Sequence, residues 1–172
     1  MELSRYQDML TTGKRHPYRV DYEVGFSDDG VIDALRVALY ANGGATNDLS
    51  PSILDRSMFH ADNAYYLPNA HITGRICRTN IPSNTAFRGF GGPQAVAAME
   101  NIIEEIAGYL NMDALEVRRR NCYGLDGRDR TPYGQLVSPN TLPLVIERLT
   151  ASAGYEERKQ AIAAFNATSR TH

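Results

Sequence analysis

The sequence predicts an α+β fold: a small antiparallel sheet, made of a hairpin and a third strand, with packed helices and a mainly helical C-terminal half. Three observations carry this. Residues 17–26 alternate, with Tyr18, Val20, Tyr22, Val24 and Phe26 on one face and Arg19, Asp21 and Glu23 on the other, the period of a half-buried strand. Ser27-Asp28-Asp29-Gly30 then offers an Asp-Gly turn, and residues 31–41 return with Val31, Leu35, Val37 and Leu39 in phase, completing an antiparallel hairpin. Residues 93–110 place Val96, Met99, Ile103, Ile106 and Leu110 at spacings of three and four, the apolar stripe of an amphipathic helix.

The remaining elements follow in order. Asn42-Gly43-Gly44 is expected to break the second strand. Ser50 as N-cap and Pro51 in the first turn open a short helix of about two turns. Ile53, Leu54 and Met58 lie at helical spacing on it, so Arg56 projects from that helix. Tyr65 to Asn69 form a loop. Residues 70–79 form a third strand carrying Ile72, Ile76 and Cys77, and residues 80–92 a second loop. Asn111-Met112-Asp113 is a break with a cap, residues 113–121 are a short helix, and 122–140 are a polar connector. Residues 141–154 and 155–167 read as a helical hairpin. The chain reads as one domain over 1–172, sheet-rich over 5–92 and helical over 93–172.

Bulk properties exclude several classes. The chain has 172 residues, 42% hydrophobic, and a net charge of −2, so there is no basic field for nucleic acid. The run Arg118-Arg119-Arg120 suits a helix C-terminus or a solvated face. Cys77 and Cys122 have no metal-binding spacing and form no disulfide framework; both read as reduced thiols of a cytoplasmic protein, Cys77 as a small buried hydrophobe. No apolar run approaches the ~20 residues of a membrane span, and Met1 to Ser4 lacks the basic start and apolar core of a signal peptide. The first four residues and residues 169–172 read as edges of a longer chain rather than native termini.

The densest chemistry lies in Ala86-Phe87-Arg88-Gly89-Phe90-Gly91-Gly92-Pro93-Gln94. Two aromatics, one cation and three glycines run into a proline and then a helix. Glycine lets backbone approach a ligand closely, and a helix N-terminus favours an anion, so the N–H groups of Gly91 and Gly92 are candidates for anion contact. Phe87 and Phe90 can stack on a flat ring. On composition alone this is either a pocket lip for a planar or anionic ligand or a structural turn with a buried phenylalanine. A nucleotide-phosphate loop is a weaker third reading, since the Lys-Ser/Thr pair is missing and the glycines do not follow the dinucleotide spacing.

The segment Thr79-Asn80-Ile81-Pro82-Ser83-Asn84-Thr85 and the loop that follows it resemble a signature of the molybdenum hydroxylases, and more narrowly of the molybdopterin-binding subunits of the xanthine dehydrogenase type. Three further stretches match in order: Asp8-Met9 to Thr12-Gly13-Lys14-Arg15-His16-Pro17; Asp48-Leu49-Ser50, Ile53 and Arg56-Ser57-Met58-Phe59-His60-Ala61-Asp62-Asn63; and Glu116-Val117-Arg118-Arg119-Arg120-Asn121. The resemblance implies hydroxylation of a purine such as hypoxanthine or xanthine, with water as the oxygen source. It implies a molybdenum-pyranopterin cofactor here, and iron–sulfur clusters and FAD on other domains or subunits. Arg56 matches the catalytic, substrate-binding arginine that meets charge building on the purine. Phe90 matches one of the two phenylalanines that sandwich the substrate ring. Arg88 matches the residue whose backbone lies beside the metal. Phe87, Gly89, Gly91 and Gly92 shape the same cofactor-binding wall, and Gln94 is within reach of it. Arg56 and the pair Gly91-Gly92 favour a purine enzyme over an aldehyde enzyme. His16, His60 and His71 are too dispersed for a metal triad, Asp28-Asp29 belongs to a turn, and Glu104-Glu105 lies on the polar side of the long helix; none is assigned as a general base.

The resemblance covers only a middle segment of such a subunit. The family's glutamine-glycine loop, the carboxylate base, the second glutamate and the partner phenylalanine are outside it, and no iron–sulfur cysteine motif is present. An active site needs all its parts closely placed. The isolated chain is therefore expected to hold no cofactor and turn over no purine, to keep a mobile loop from Pro82 to Gly92, and to self-associate through apolar surface that the remainder of the molybdenum subunit covers. The alternative is a stand-alone binding or assembly module without catalysis, which the coding sequence on either side of the segment distinguishes.

Overall fold

Ser4 opens the first helix, α1 (Arg5–Thr11), in the computed structural model, which describes residues 2–169. The Ser4 hydroxyl accepts from the Gln7 N–H (3.2 Å), and the Gln7 side chain accepts from the Ser4 N–H (3.0 Å). Hydropathy patterning predicts no helix here, because α1 is short and buries no residue, so no apolar period marks it. Met1 and residues 170–172, among those expected at the edges of a longer chain, lie outside the described residues.

The alternating segments pair as the hairpin predicts. β1 (Tyr18–Phe26) runs antiparallel to β2 (Ile32–Gly44), with Val20 opposite Leu39 and Tyr22 opposite Val37. Tyr18, Val20, Tyr22, Val24 and Phe26 are half-buried and the residues between them exposed. The Asn42-Gly43-Gly44 segment forms the last three residues of β2, which ends at Gly44. Asn42 Oδ1 accepts from the Gly44 N–H (3.1 Å), the register shifts there, and a Cβ on Gly43 would stand 2.7 Å from Ile76 Cγ2. These glycines bend the strand and let its neighbour approach.

The third strand departs from expectation. β3 (Ala70–Arg78) pairs with β2 in parallel, Val37 opposite Ile72, so the sheet is mixed rather than wholly antiparallel, in the order β1-β2-β3. The cause is the crossover helix between them, α2 (Ser50–Phe59), which carries the chain back before the next strand begins. At Gly74 a Cβ would stand 2.8 Å from Met58 Sδ, so α2 lies close on β3. Two further expectations change. Leu49, not Ser50, is the N-cap of α2; Ser50 sits inside the first turn, and its buried hydroxyl meets His16 Nε2 (2.7 Å) instead. Cys77 is exposed, because Ile72, Gly74 and Ile76 take the inward phase of β3 and leave Cys77 on the outer face.

The C-terminal half is helical: α3 (Gly92–Leu110), α4 (Ala114–Asn121), α5 (Leu142–Ser152) and α6 (Tyr155–Thr168). Asp113 caps α4 by accepting from the Leu115 N–H (2.8 Å). Arg118 bridges Glu100 (2.8 Å) and Glu104 (2.7 Å), so the arginine run joins α4 to α3 as well as facing solvent. A cluster of Leu35, Val37 and Leu39 on β2, Met99, Ile103 and Ile106 on α3, and Val117 on α4 fills the space between sheet and helices. Asn121, 1% exposed, accepts from the Ile32 N–H (2.8 Å) and donates to the Gly30 carbonyl (2.7 Å), fastening the hairpin turn to α4. Among the described residues, no helix is long and apolar enough to cross a membrane.

Candidate functional site

The loop after β3 is laced to the end of β2. Thr79 N–H donates to the Gly44 carbonyl (3.0 Å), and Ala45 N–H donates to the Ile81 carbonyl (3.0 Å). Buried Asn84 donates its backbone N–H to the Gly43 carbonyl (3.1 Å) and its side chain to the Asn42 carbonyl (2.8 Å). At the apex two tight turns follow each other: Phe90 N–H donates to the Phe87 carbonyl (2.8 Å), and Gly92 N–H to the Gly89 carbonyl (3.0 Å). Gly92 therefore spends its N–H within the loop, contrary to the expected anion contact. Gly89, Phe90 and Gly91 all have left-handed backbone, at φ of 90°, 49° and 97°. Phe87, Arg88 and Gly89 are exposed, Phe90 is half-buried, and Gly91 and Gly92 are buried.

The loop's descending leg rests on α2. A Cβ on Gly91 would stand 2.1 Å from the Ile53 carbonyl oxygen, and the Gly91 carbonyl accepts from Ser57 Oγ (2.8 Å). A Cβ on Gly92 would stand 3.5 Å from the His60 ring and 3.9 Å from Arg56 Nε. Arg56 thus lies beside the loop at Gly92. It sits in the last turn of α2, where the helix dipole favours a cation, and it is exposed. Its guanidinium makes no hydrogen bond or ion pair among the described residues. His60 Nδ1 donates to the Arg56 carbonyl (3.0 Å), which gives that histidine a structural bond within the helix end.

An arm preceding β1 closes the other side. Arg15 Nη2 donates to the Arg88 carbonyl (2.5 Å), and Arg15 Cζ lies 4.5 Å above the Phe87 ring. Gln94 Nε2 donates to the His16 carbonyl (3.2 Å), so that side chain is turned to the arm. Arg15 Nη1 and Gln94 Oε1 are buried with no hydrogen-bond partner among the described residues. The site therefore brings together Arg56 and the Phe87–Gly92 loop, and adds Arg15, which composition and periodicity did not single out. The signal for it lies in the run Thr12-Gly13-Lys14-Arg15-His16-Pro17.

His16 is 2% exposed. Burial pulls its imidazole below the usual range, against the opposing pull of the Asp48 carboxylate. Depression below the unfolded value of 6.5 means that the unfolded chain takes up a proton more readily. The stability involved is present above pH 6.5 and is lost as pH falls from there through the folded-state value. Asp48, lowered by hydrogen bonds from Thr85 and Leu49, acts only below its ordinary 3.8 and does not overlap this window. His16→Gln is expected to flatten the loss of melting temperature between about pH 7.5 and about pH 5.5. An unchanged slope in thermal melts of the variant would assign it to another group.

Two clefts open near this wall. One, of 450 Å³, is lined by His60, Asp62, Tyr123 and Tyr133; the other, of 630 Å³, by Tyr18, Tyr40, Asn42 and Cys77. In the first, burial raises Asp62 although the Tyr123 hydroxyl donates to it at 2.5 Å. Neither cleft is lined by Arg56 or Phe90, so these two residues belong to an open wall.

The model of the molybdopterin cofactor-binding domain matches residues 1–122. The chain belongs to that family. Among its relatives, xanthine dehydrogenase/oxidase of Mus musculus is 49% identical over 164 residues, 95% of this chain and 12% of that protein. Xanthine dehydrogenase of Dictyostelium discoideum is 45% identical over 168 residues, 98% of this chain and 12% of that protein. Nicotinate hydroxylase of Emericella nidulans is 41% identical over 169 residues, with the same 12% of its length covered. The chain thus spans about an eighth of the curated relatives it matches, which are oxidoreductases. The structure of aldehyde oxidoreductase from Desulfovibrio gigas superposes with a TM-score of 0.77 at 29% identity, covering 86% of this chain and 16% of that one. The Cu,Mo-CO dehydrogenase reaches a TM-score of 0.84 at 23% identity over 95% of this chain and 21% of that one, a likeness of fold.

The residues present fit a molybdopterin cofactor. The exposed Arg88–Gly89 backbone carries no side chain at Gly89 to hold a ligand off. The unpartnered Arg15 donor and Gln94 acceptor lie beside the same loop. A guanidinium with an unpartnered donor beside the loop suits an anionic, hydrogen-bonding group.

Proposed function

We propose that this chain forms one wall of the active site of a molybdenum-dependent purine hydroxylase of the xanthine dehydrogenase type, working only within a longer cytoplasmic polypeptide. The reading rests on one observation: the Arg56 guanidinium, without a hydrogen bond or ion pair among the described residues, packs against the glycine loop at Gly92, two residues from Phe90. A charged group left unpaired beside a ring-bearing loop is poised for an anionic or charge-accepting heterocycle. The relatives support the substrate class, since the purine enzymes and the nicotinate hydroxylase act on flat nitrogen heterocycles.

Each residue has a distinct physical role in this reading. Arg56 donates to the purine edge as negative charge builds there and stabilises it electrostatically. Phe90 holds the plane of the ring, its own ring making no aromatic pair among the described residues. Phe87, Arg88 and Gly89 form the exposed wall that would hold the cofactor, and the Arg88 backbone would face its metal. Gly91 and Gly92 shape that wall from behind by seating it on α2. When bound, the cofactor supplies the oxygen-transfer and two-electron chemistry. The carboxylate base and the second ring-stacking phenylalanine would come from segments outside this chain, and iron–sulfur clusters and FAD would be held on other domains or subunits.

The test is made on the protein in the form its host makes. Metal analysis should find molybdenum, and hypoxanthine or xanthine should be oxidised faster than nicotinate or an aromatic aldehyde. The 172-residue chain expressed alone should oxidise none of them. A host-made protein without molybdenum, or one inert to purines, overturns the reading.

A further inference from the structure

Consecutive residues upstream of β1 touch the glycine loop at its entry, its apex and its exit. The Lys14 carbonyl accepts from the Thr85 N–H (3.0 Å). Arg15 reaches across 73 residues to the Arg88 carbonyl and covers the Phe87 ring. The His16 carbonyl accepts from Gln94. Just before them, a Cβ on Gly13 would stand 2.5 Å from the Ser83 carbonyl oxygen, so the arm is pressed against the loop. The His16 ring is fastened to α2 through Ser50. The arm therefore links both elements of the proposed wall.

The apex needs such a fastening. Glycine moves between left- and right-handed backbone at little cost. The peptide planes between Arg88 and Gly91 are thus the ones most easily flipped. A trans peptide puts its carbonyl and its N–H on opposite sides. Holding the Arg88 carbonyl toward Arg15 consequently fixes the Gly89 N–H to point the other way. A guanidinium is well matched to this fastening, since it is always charged, its edge donates, and its flat face stacks on a ring.

We propose that Arg15 is a positioning residue for the active-site wall, locking the Arg88–Gly89 peptide and the Phe87 ring in one orientation. This rests on the proposed function, since that function gives the orientation its use. The anchoring itself is independent of any bound group.

The experiment compares Arg15→Lys, Arg15→Met and a control, Arg19→Met, whose partner is Asp21 on the outer sheet face, in the host-made protein. In metal-free protein, hydrogen exchange at the Phe90 and Gly92 amides should quicken by about ten-fold or more in both Arg15 variants, with β2 amides unchanged. In loaded protein with full molybdenum content, kcat should fall by about ten- to a hundred-fold, KM should stay near wild type, and the paramagnetic signal of the reduced metal should change shape. Lysine should rescue neither, because an ammonium cannot fork and stack at once; a role in net charge alone would be rescued. The control should match wild type throughout. Wild-type exchange at Phe90 and Gly92 in the Arg15 variants overturns the proposal, as does full kcat in Arg15→Lys. Should Arg15→Met fail to accumulate, Arg15→Lys decides by the same readouts. A wild type without molybdenum or purine turnover, whose loop still loosens on Arg15 replacement, sinks the proposed function and leaves the anchoring intact.

Discussion

Arg56→Met lowers kcat/KM for xanthine by about a hundred- to a thousand-fold, the loss expected when one preorganised donor to developing charge is removed. Methionine keeps much of the side chain's length and flexibility while deleting its charge and donors. The arginine is exposed and its guanidinium has no partner among the described residues, so nothing is left unpaired in the core when it goes. Melting temperature should therefore hold, within the about 0.5 kcal/mol usual for surface changes. An aromatic aldehyde provides the internal control, because it has no remote ring charge for Arg56 to meet, and its turnover should fall far less. Steady-state kinetics on the two substrates checks this. Equal losses would reduce Arg56 to a shaping residue and remove the main support for a purine substrate.

Gly91→Ala is expected to cost about 2–5 kcal/mol of stability, the sum of left-handed backbone strain and an overpacked contact. At φ of 97° any L side chain is strained, and its Cβ would stand 2.1 Å from the Ile53 carbonyl oxygen and 2.7 Å from Ser57 Oγ. Both neighbours are buried on α2, at 1% and 0% exposure, and have no room to retreat. Gly127→Ala separates the two causes: its φ is 78°, but its Cβ would meet nothing within 4 Å. That variant should lose only about 1–2 kcal/mol. Denaturant midpoints of the two variants check the difference, and equal losses would show that the contact with α2 contributes nothing.

Burial decided which elements were legible in the sequence. β1 and α3 each press one face on the core, so period two and period 3.6 appear directly in Tyr18 to Phe26 and in Met99 to Ile106. α1 presses nothing and left only its reciprocal cap as a trace. The direction of β3 was hidden because alternation in Ile72 and Ile76 is the same for parallel and antiparallel neighbours; only the crossover through α2 distinguishes them. Gly43 and Gly44 mark the strand end in one dimension and are also a close approach in three. In the candidate site, the turn content of Phe87 to Gly92 was readable, because glycine and proline report local backbone. The seat of Gly91 on Ile53 and the reach of Arg15 to Arg88 were not, since contacts between residues far apart in the chain leave no local pattern.

Asn121 sets an order of events during biosynthesis. Its side chain is the partner of the Ile32 N–H, 89 residues earlier, and of the Gly30 carbonyl, 91 residues earlier. A ribosome that has emitted both strands of the hairpin has yet to deliver this side chain, and until then water must satisfy those two atoms. The hairpin turn thus gains this tie to α4 only after α3 and α4 have been made.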